Sequence, residues 1–125
     1  MIKRTLSFLI LSLLVILGCN GVFKKDTLNK EQLTTLLTHN SIKIIDVRTS
    51  KEYEEAHIPE AINYPIESLT DSLALLDQSE EIIVVCRSRN RSRKAKRLLI
   101  DNGFNKVYDG GSWKNVEKVL NELQK

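Results

Sequence analysis

The sequence predicts an α/β fold, a parallel β-sheet with helices on both faces. Three observations carry this. Residues 42–47 and 82–85 are nearly continuous runs of β-branched apolar residues, as expected of strands buried on both faces. The segments between and after them place apolar residues three and four apart, the spacing of a helix with one buried stripe. Strands alternating with helices close into a parallel sheet, because each parallel crossover has room for a helix that covers one face.

In chain order, the first helix begins at Leu28-Asn29-Lys30-Glu31-Gln32-Leu33. Asn29 is placed to cap it, Gln32 to reach back, and Leu28 to pack on Leu33. Leu33, Leu36 and Leu37 share a face, and the helix ends near Asn40. Strand 42–47 follows and is expected to be central and parallel. Asp46, Arg48 and Glu52 come at its C-terminal end, where open α/β sheets build their sites. These charges are read as pairing with one another to fix a loop rather than as reacting groups. Residues 61–64 form a short strand closed by Pro65, and Ile66, Leu69, Leu73 and Leu76 then recur at helical spacing. Residues 81–85 form the central strand. Ala95, Leu98 and Leu99 make the buried stripe of the next helix, with Arg93, Lys94, Lys96 and Arg97 on a solvated face. Gly103 ends that helix as a left-handed cap. Residues 105–108 are the last strand; Asp109-Gly110-Gly111 turns into a helix capped by Ser112, with Val116, Val119, Leu120 and Leu123 facing inward. No internal repeat is present.

The 125 residues suffice for one domain, expected at residues 28–125. Lys3 and Arg4 precede an uncharged leucine-rich stretch ending in Ile16-Leu17-Gly18-Cys19. Residues 1–18 therefore read as a secretory signal. The cysteine after the glycine resembles a lipobox, with Ile16 where the pattern prefers leucine. That implies lipid on Cys19, a tether over residues 19–27, and a membrane-anchored position on the periplasmic side of a bacterial envelope. The competing reading, an uncleaved anchor, suffers because Gly18, Asn20 and Gly21 cut the apolar run below the roughly 17–25 residues of a spanning helix. Cleavage removes two cations and no acid, so the net charge falls from +3 to +1. Basic character is then local, between Arg87 and Arg97, without interleaved aromatics, which speaks against a nucleic-acid partner. Two cysteines make no disulfide framework.

The chemistry concentrates in Cys86-Arg87-Ser88-Arg89-Asn90-Arg91-Ser92, which follows the central strand and opens a helix. Unpaired amides at a helix start, the helix dipole and flanking guanidinium groups favour negative sulfur. Those are the conditions that make a thiol a nucleophile. The alternative, a structural cysteine at a strand end, fits poorly with arginines alternating through positions 87, 89, 91 and 93.

This stretch resembles the active-site loop of rhodanese domains, C-R-x-G-x-R-[ST]. Ile45-Asp46-Val47-Arg48, Glu52-Tyr53 and His57-Ile58-Pro59 match the family's D-V-R…E-[YF]…G-H-I-P-G-A segment, with Ala56 and Glu60 replacing its glycines. Gly103-Phe104, Val107-Tyr108 and Gly110-Gly111-Ser112-Trp113 match its closing segment. The resemblance implies a rhodanese-like sheet and a sulfurtransferase that needs no cofactor or metal. Cys86 would take the outer sulfur of a small anionic donor such as thiosulfate and pass it from a persulfide to a thiol or cyanide. Arg87, Ser88, Arg89, Asn90, Arg91 and Ser92 would bind substrate. Asp46, Arg48, Glu52 and His57 would support the site, His57 as a packed histidine rather than a base. Arg91 would attract the donor or hold the loop by pairing with a carboxylate.

Loop length separates sulfur transfer from phosphoester hydrolysis. Cys86 and Arg91 stand one residue closer than in the C-x5-R loop of phosphatases, too short to wrap a phosphate. Arg89 is the departure: it occupies the usual glycine position, and a left-handed backbone there costs a non-glycine residue about 1 kcal/mol. It is also the one feature favouring a second reading, a non-catalytic rhodanese-like module that docks a partner.

Overall fold

The computed structural model describes residues 27–39 and 41–125. The expected signal at residues 1–18, Cys19, the tether up to residue 26 and Asn40 lie outside the described residues. The elements are α1 (Lys30–Leu37), β1 (Ile42–Asp46), α2 (Ser50–Glu55), β2 (Ile62–Asn63), a 3₁₀ helix (Ile66–Leu75), β3 (Glu81–Cys86), α3 (Asn90–Asp101), β4 (Val107–Ser112) and α4 (Trp113–Leu123). The strands form one parallel sheet in the order β2-β1-β3-β4, so β3 is flanked on both sides. This is the α/β architecture the sequence predicts.

Alternation along β3 divides its side chains between two cores. Ile82, Val84 and Cys86 join Leu69, Ala95, Leu99 and Phe104 beneath the 3₁₀ helix and α3. Ile83 and Val85 join Leu33, Trp113, Val116 and Val119 beneath α1 and α4. Each fully buried Val, Ile or Leu stabilises the fold by about 1.5–3 kcal/mol relative to exposure. The same period of two hands the last residue of the strand, Cys86, to the α3 side.

Local chemistry sets the helix ends. Asn29 and Gln32 form a reciprocal capping box on α1. α3 ends in a Schellman motif: Gly103, at φ +92°, donates to Ile100, and Phe104 donates to Leu99.

Four expectations change. The segment after Pro65 is a 3₁₀ helix, whose three-residue turn aligns Ile66 with Leu69 and Leu73 with Leu76. Asp109-Gly110-Gly111 is strand rather than turn, with a shift in register against β3 between Val84 and Val85. Glycine is required at 110 by close approach, since a Cβ there would lie 2.7 Å from Ile83 Cγ2. Ser112 holds the cap position of α4 but its side chain makes no capping hydrogen bond. Leu123, expected inside, is 39% exposed.

Candidate active site

Cys86 ends β3 at the carboxyl edge of the sheet, paired in register with Ser112. Its side chain is buried at 1% exposure, and it forms no disulfide among the described residues. The chain then turns through Arg87 and Ser88 to Arg89, the residue before α3. Arg89 adopts φ +84° and ψ −22°. It is the only non-glycine residue with positive φ among the described residues. The backbone thus takes the left-handed turn that glycine would take freely. That turn aims the Arg89 amide at the sulfur, with N to Sγ 3.0 Å.

Ser92, fully buried on the first turn of α3, stands 3.4 Å from Sγ through its Oγ. Its hydroxyl also lies 3.1 Å from the Arg89 carbonyl, to which it donates. One hydroxyl proton serves one acceptor at a time. Ionised sulfur can only accept, so it competes with that carbonyl for the Ser92 proton.

The other loop residues diverge. Arg87 is exposed and, with Arg48, Glu52, Ala56, Trp113 and Lys114, lines a cleft of about 660 Å³. Ser88, exposed, and Arg89, half-buried, line a pocket on the other side. Asn90 is exposed beside Arg93 and Lys94. Arg91 turns away to Glu52 in a bidentate pair, Nη1 to Oε2 2.5 Å and Nη2 to Oε1 2.8 Å. That hydrogen-bonded pairing, aided by donation from Thr49, holds the Glu52 carboxyl down from 4.5 to about 2. The same bond raises Arg91 above its ordinary range, with a smaller contribution from the nearby Cys86.

The acids and bases after β1 pair as expected in one case and differently in the other. Asp46 and Arg48 form a buried pair, Arg48 Nη2 to Asp46 Oδ2 2.6 Å. Arg48 also donates to the Ala56 carbonyl at 2.8 Å, and its guanidinium lies 4.5 Å from the centre of the Trp113 ring. Glu52 instead crosses to Arg91 and, with Thr49, makes the capping box of α2. His57 stacks on Tyr53 at 3.8 Å, and its Nδ1 lies 2.7 Å from the Tyr53 carbonyl. Its contacts are those of a packed side chain.

Further residues complete this frame. Thr49-x-x-Glu52 carries the capping-box signature, the sequence signal for the start of α2. Asn63 bonds both the Asp46 and Arg48 carbonyls, at 3.0 and 2.9 Å. Asp109, fully buried, accepts from Gly111 N at 2.9 Å and from Thr27 Oγ1 at 3.1 Å. No spacing in the sequence announces these last two.

Residues 29–117 match the model of the rhodanese-like domain. Over 67 residues the chain is 39% identical to YrkF of Bacillus subtilis, named as a candidate sulfur carrier, covering 54% of this chain and 36% of that one. It is 32% identical over 83 residues to the thiosulfate sulfurtransferase GlpE of Pseudomonas savastanoi, covering 65% of this chain and 77% of the relative. A solved rhodanese-like domain protein from Staphylococcus aureus superposes with a TM-score of 0.63 at 27% identity, covering 73% of this chain and 90% of the other. The chain therefore spans about a third of YrkF but most of GlpE.

Proposed function

The chain belongs to the rhodanese-like domain family, and on that premise we propose that it is a sulfurtransferase working through a persulfide on Cys86. The donor is a small anion such as thiosulfate, and the acceptor a thiol or cyanide. The observation that carries the reading is the 3.0 Å donation from the Arg89 amide to Sγ at the start of α3. An amide fixed by the backbone stabilises negative sulfur without reorganising.

In the first half-reaction the Cys86 thiolate attacks the outer sulfur of thiosulfate. The sulfur–sulfur bond of the donor breaks, its electron pair leaves with sulfite, and Cys86 keeps the transferred sulfur. In the second, an acceptor thiolate attacks the protonated terminal sulfur. Cys86 leaves as thiolate and the acceptor carries away the persulfide. Arg87, exposed beside the loop, attracts the anionic donor. Arg91, committed to Glu52, holds the loop rather than the substrate. Ser92 Oγ donates a hydrogen bond to the ionised sulfur.

The docking-module reading drew on Arg89 alone, and it is less favoured here because the left-handed turn at that residue still aims an amide at the Cys86 sulfur. Phosphoester hydrolysis is disfavoured by the short Cys86–Arg91 spacing and by the engagement of Arg91 with Glu52. Thiosulfate is the donor to test first because a relative of similar extent is named for it. Wild-type protein given thiosulfate and cyanide should form thiocyanate, Cys86→Ser should not, and neither should hydrolyse an aryl phosphate. Aryl phosphate hydrolysis without thiocyanate would overturn the reading.

The sequence further supports removal of residues 1–18 and lipid attachment at Cys19, which would hold the domain at a membrane of the cell envelope. No helix of the described residues is long and apolar enough to cross a membrane.

A further inference from the structure

Arg89 carries two costs that glycine would avoid. Its backbone is left-handed, and its Nε is buried without a hydrogen-bond partner among the described residues. A buried donor left unpaired is rare in folded proteins and calls for an explanation. Room for the side chain comes from Gly111, where a Cβ would stand 3.2 Å from Arg89 Cγ.

The Arg89 side chain lines a pocket of about 420 Å³ between the start of α1, α4 and the sulfur-bearing loop. Lys30, Lys118 and Asn115 also line it, and Leu33 and Val119 supply an apolar wall. Among the described residues no acid lines this pocket. Lys30 is partly neutralised by Glu122 at 2.7 Å, whose carboxylate also feels Lys118 one turn away, but Arg89 and Lys118 form no salt bridge among the described residues. The volume exceeds what cyanide or thiosulfate fills. Cationic groups around a short apolar wall suit a carboxylate on a small alkyl chain.

We propose that this pocket is a subsite for the carboxylate end of a small anionic thiol, the sulfur acceptor, whose thiolate then reaches the Cys86 persulfide past Arg89. The proposal rests on the sulfur-transfer reading and names its acceptor class. The transfer is the second half-reaction above, with no net oxidation or reduction. One residue then serves both ends of the acceptor: its amide faces the sulfur and its side chain walls the pocket.

The test compares mercaptosuccinate with 2-mercaptoethanol as acceptors, using the full-length protein charged with thiosulfate. Lys118 is exposed, so Lys118→Glu perturbs the charge without disturbing a core. The ratio of kcat/KM for mercaptosuccinate over 2-mercaptoethanol should fall about tenfold in Lys118→Glu, a change that a modestly screened charge reversal supplies. Arg89→Gly should lower the same ratio. Titration with succinate, which has no thiol, should show binding to wild type and its loss in Lys118→Glu. An unchanged ratio in both variants, while wild type still passes sulfur to 2-mercaptoethanol, would overturn the subsite and leave the sulfur-transfer reading standing. If wild type passes sulfur to no acceptor, that reading fails by itself. Succinate then decides the pocket: binding that depends on Lys118 upholds a carboxylate site, and none, or equal binding in both proteins, removes it.

Discussion

At the scale of single residues, Arg89 decides how the loop is formed. Its amide reaches the Cys86 sulfur only because φ is +84°, a value most side chains resist. The strain can be isolated by comparing two truncations that both discard the guanidinium. Arg89→Gly should be more stable than Arg89→Ala by about 1 kcal/mol in urea unfolding, since only the first relaxes the left-handed turn. Equal stabilities would mean that the turn carries no strain. Position 89 also shows what sequence can convey. Arginine in place of glycine signals a conflict, but the alternatives of a reshaped loop and a strained loop look identical until the backbone is seen. The companion adjustment, Gly111 making room for Arg89, joins positions too far apart for any spacing argument.

At the scale of elements, the loop is held by α2 as much as by α3. Glu52 closes the capping box of α2 and grips Arg91 at the start of α3, tying the two helix starts together. Because its folded-state pKa of about 2 lies below the ordinary 4.5, this grip stabilises the fold above about pH 4.5 and is lost as pH falls toward 2. Wild type should therefore lose about 1 to 2 kcal/mol more than Glu52→Gln between pH 6 and pH 3, allowing for partial solvent screening. Urea unfolding at the two pH values reads this. Asp77 and Glu122, also held low, are common to both proteins and cancel. Equal losses would mean that the pair adds no stability. α2 was hard to see because it buries no residue and so lacks an apolar stripe. The first part of β4 matches the expected strand and its second part does not, because paired glycines mark turns more often than strands, whereas here Gly110 answers to the approach of Ile83.

At the scale of the molecule, the sheet was legible because β1 and β3 are buried on both faces and therefore read as unbroken apolar runs. The position of the Cys86 loop followed from the same pattern, since a polar loop after a central strand lies at the carboxyl edge. What did not follow was the division of labour around the sulfur, which depends on contacts between elements distant in sequence. The proposed membrane attachment belongs to this scale as well. Metabolic labelling with a lipid precursor should mark the wild-type protein and not Cys19→Ala; absence of label on wild type, or label on both, would contradict attachment at Cys19.

The measurement that tests the central claim most directly is the intact mass of the full-length protein before and after thiosulfate, beside Cys86→Ser. Wild type alone should gain the mass of one sulfur atom and lose it again to cyanide or a thiol. A gain in both proteins, or in neither across thiosulfate and other sulfane-sulfur donors, would contradict Cys86 as the sulfur carrier.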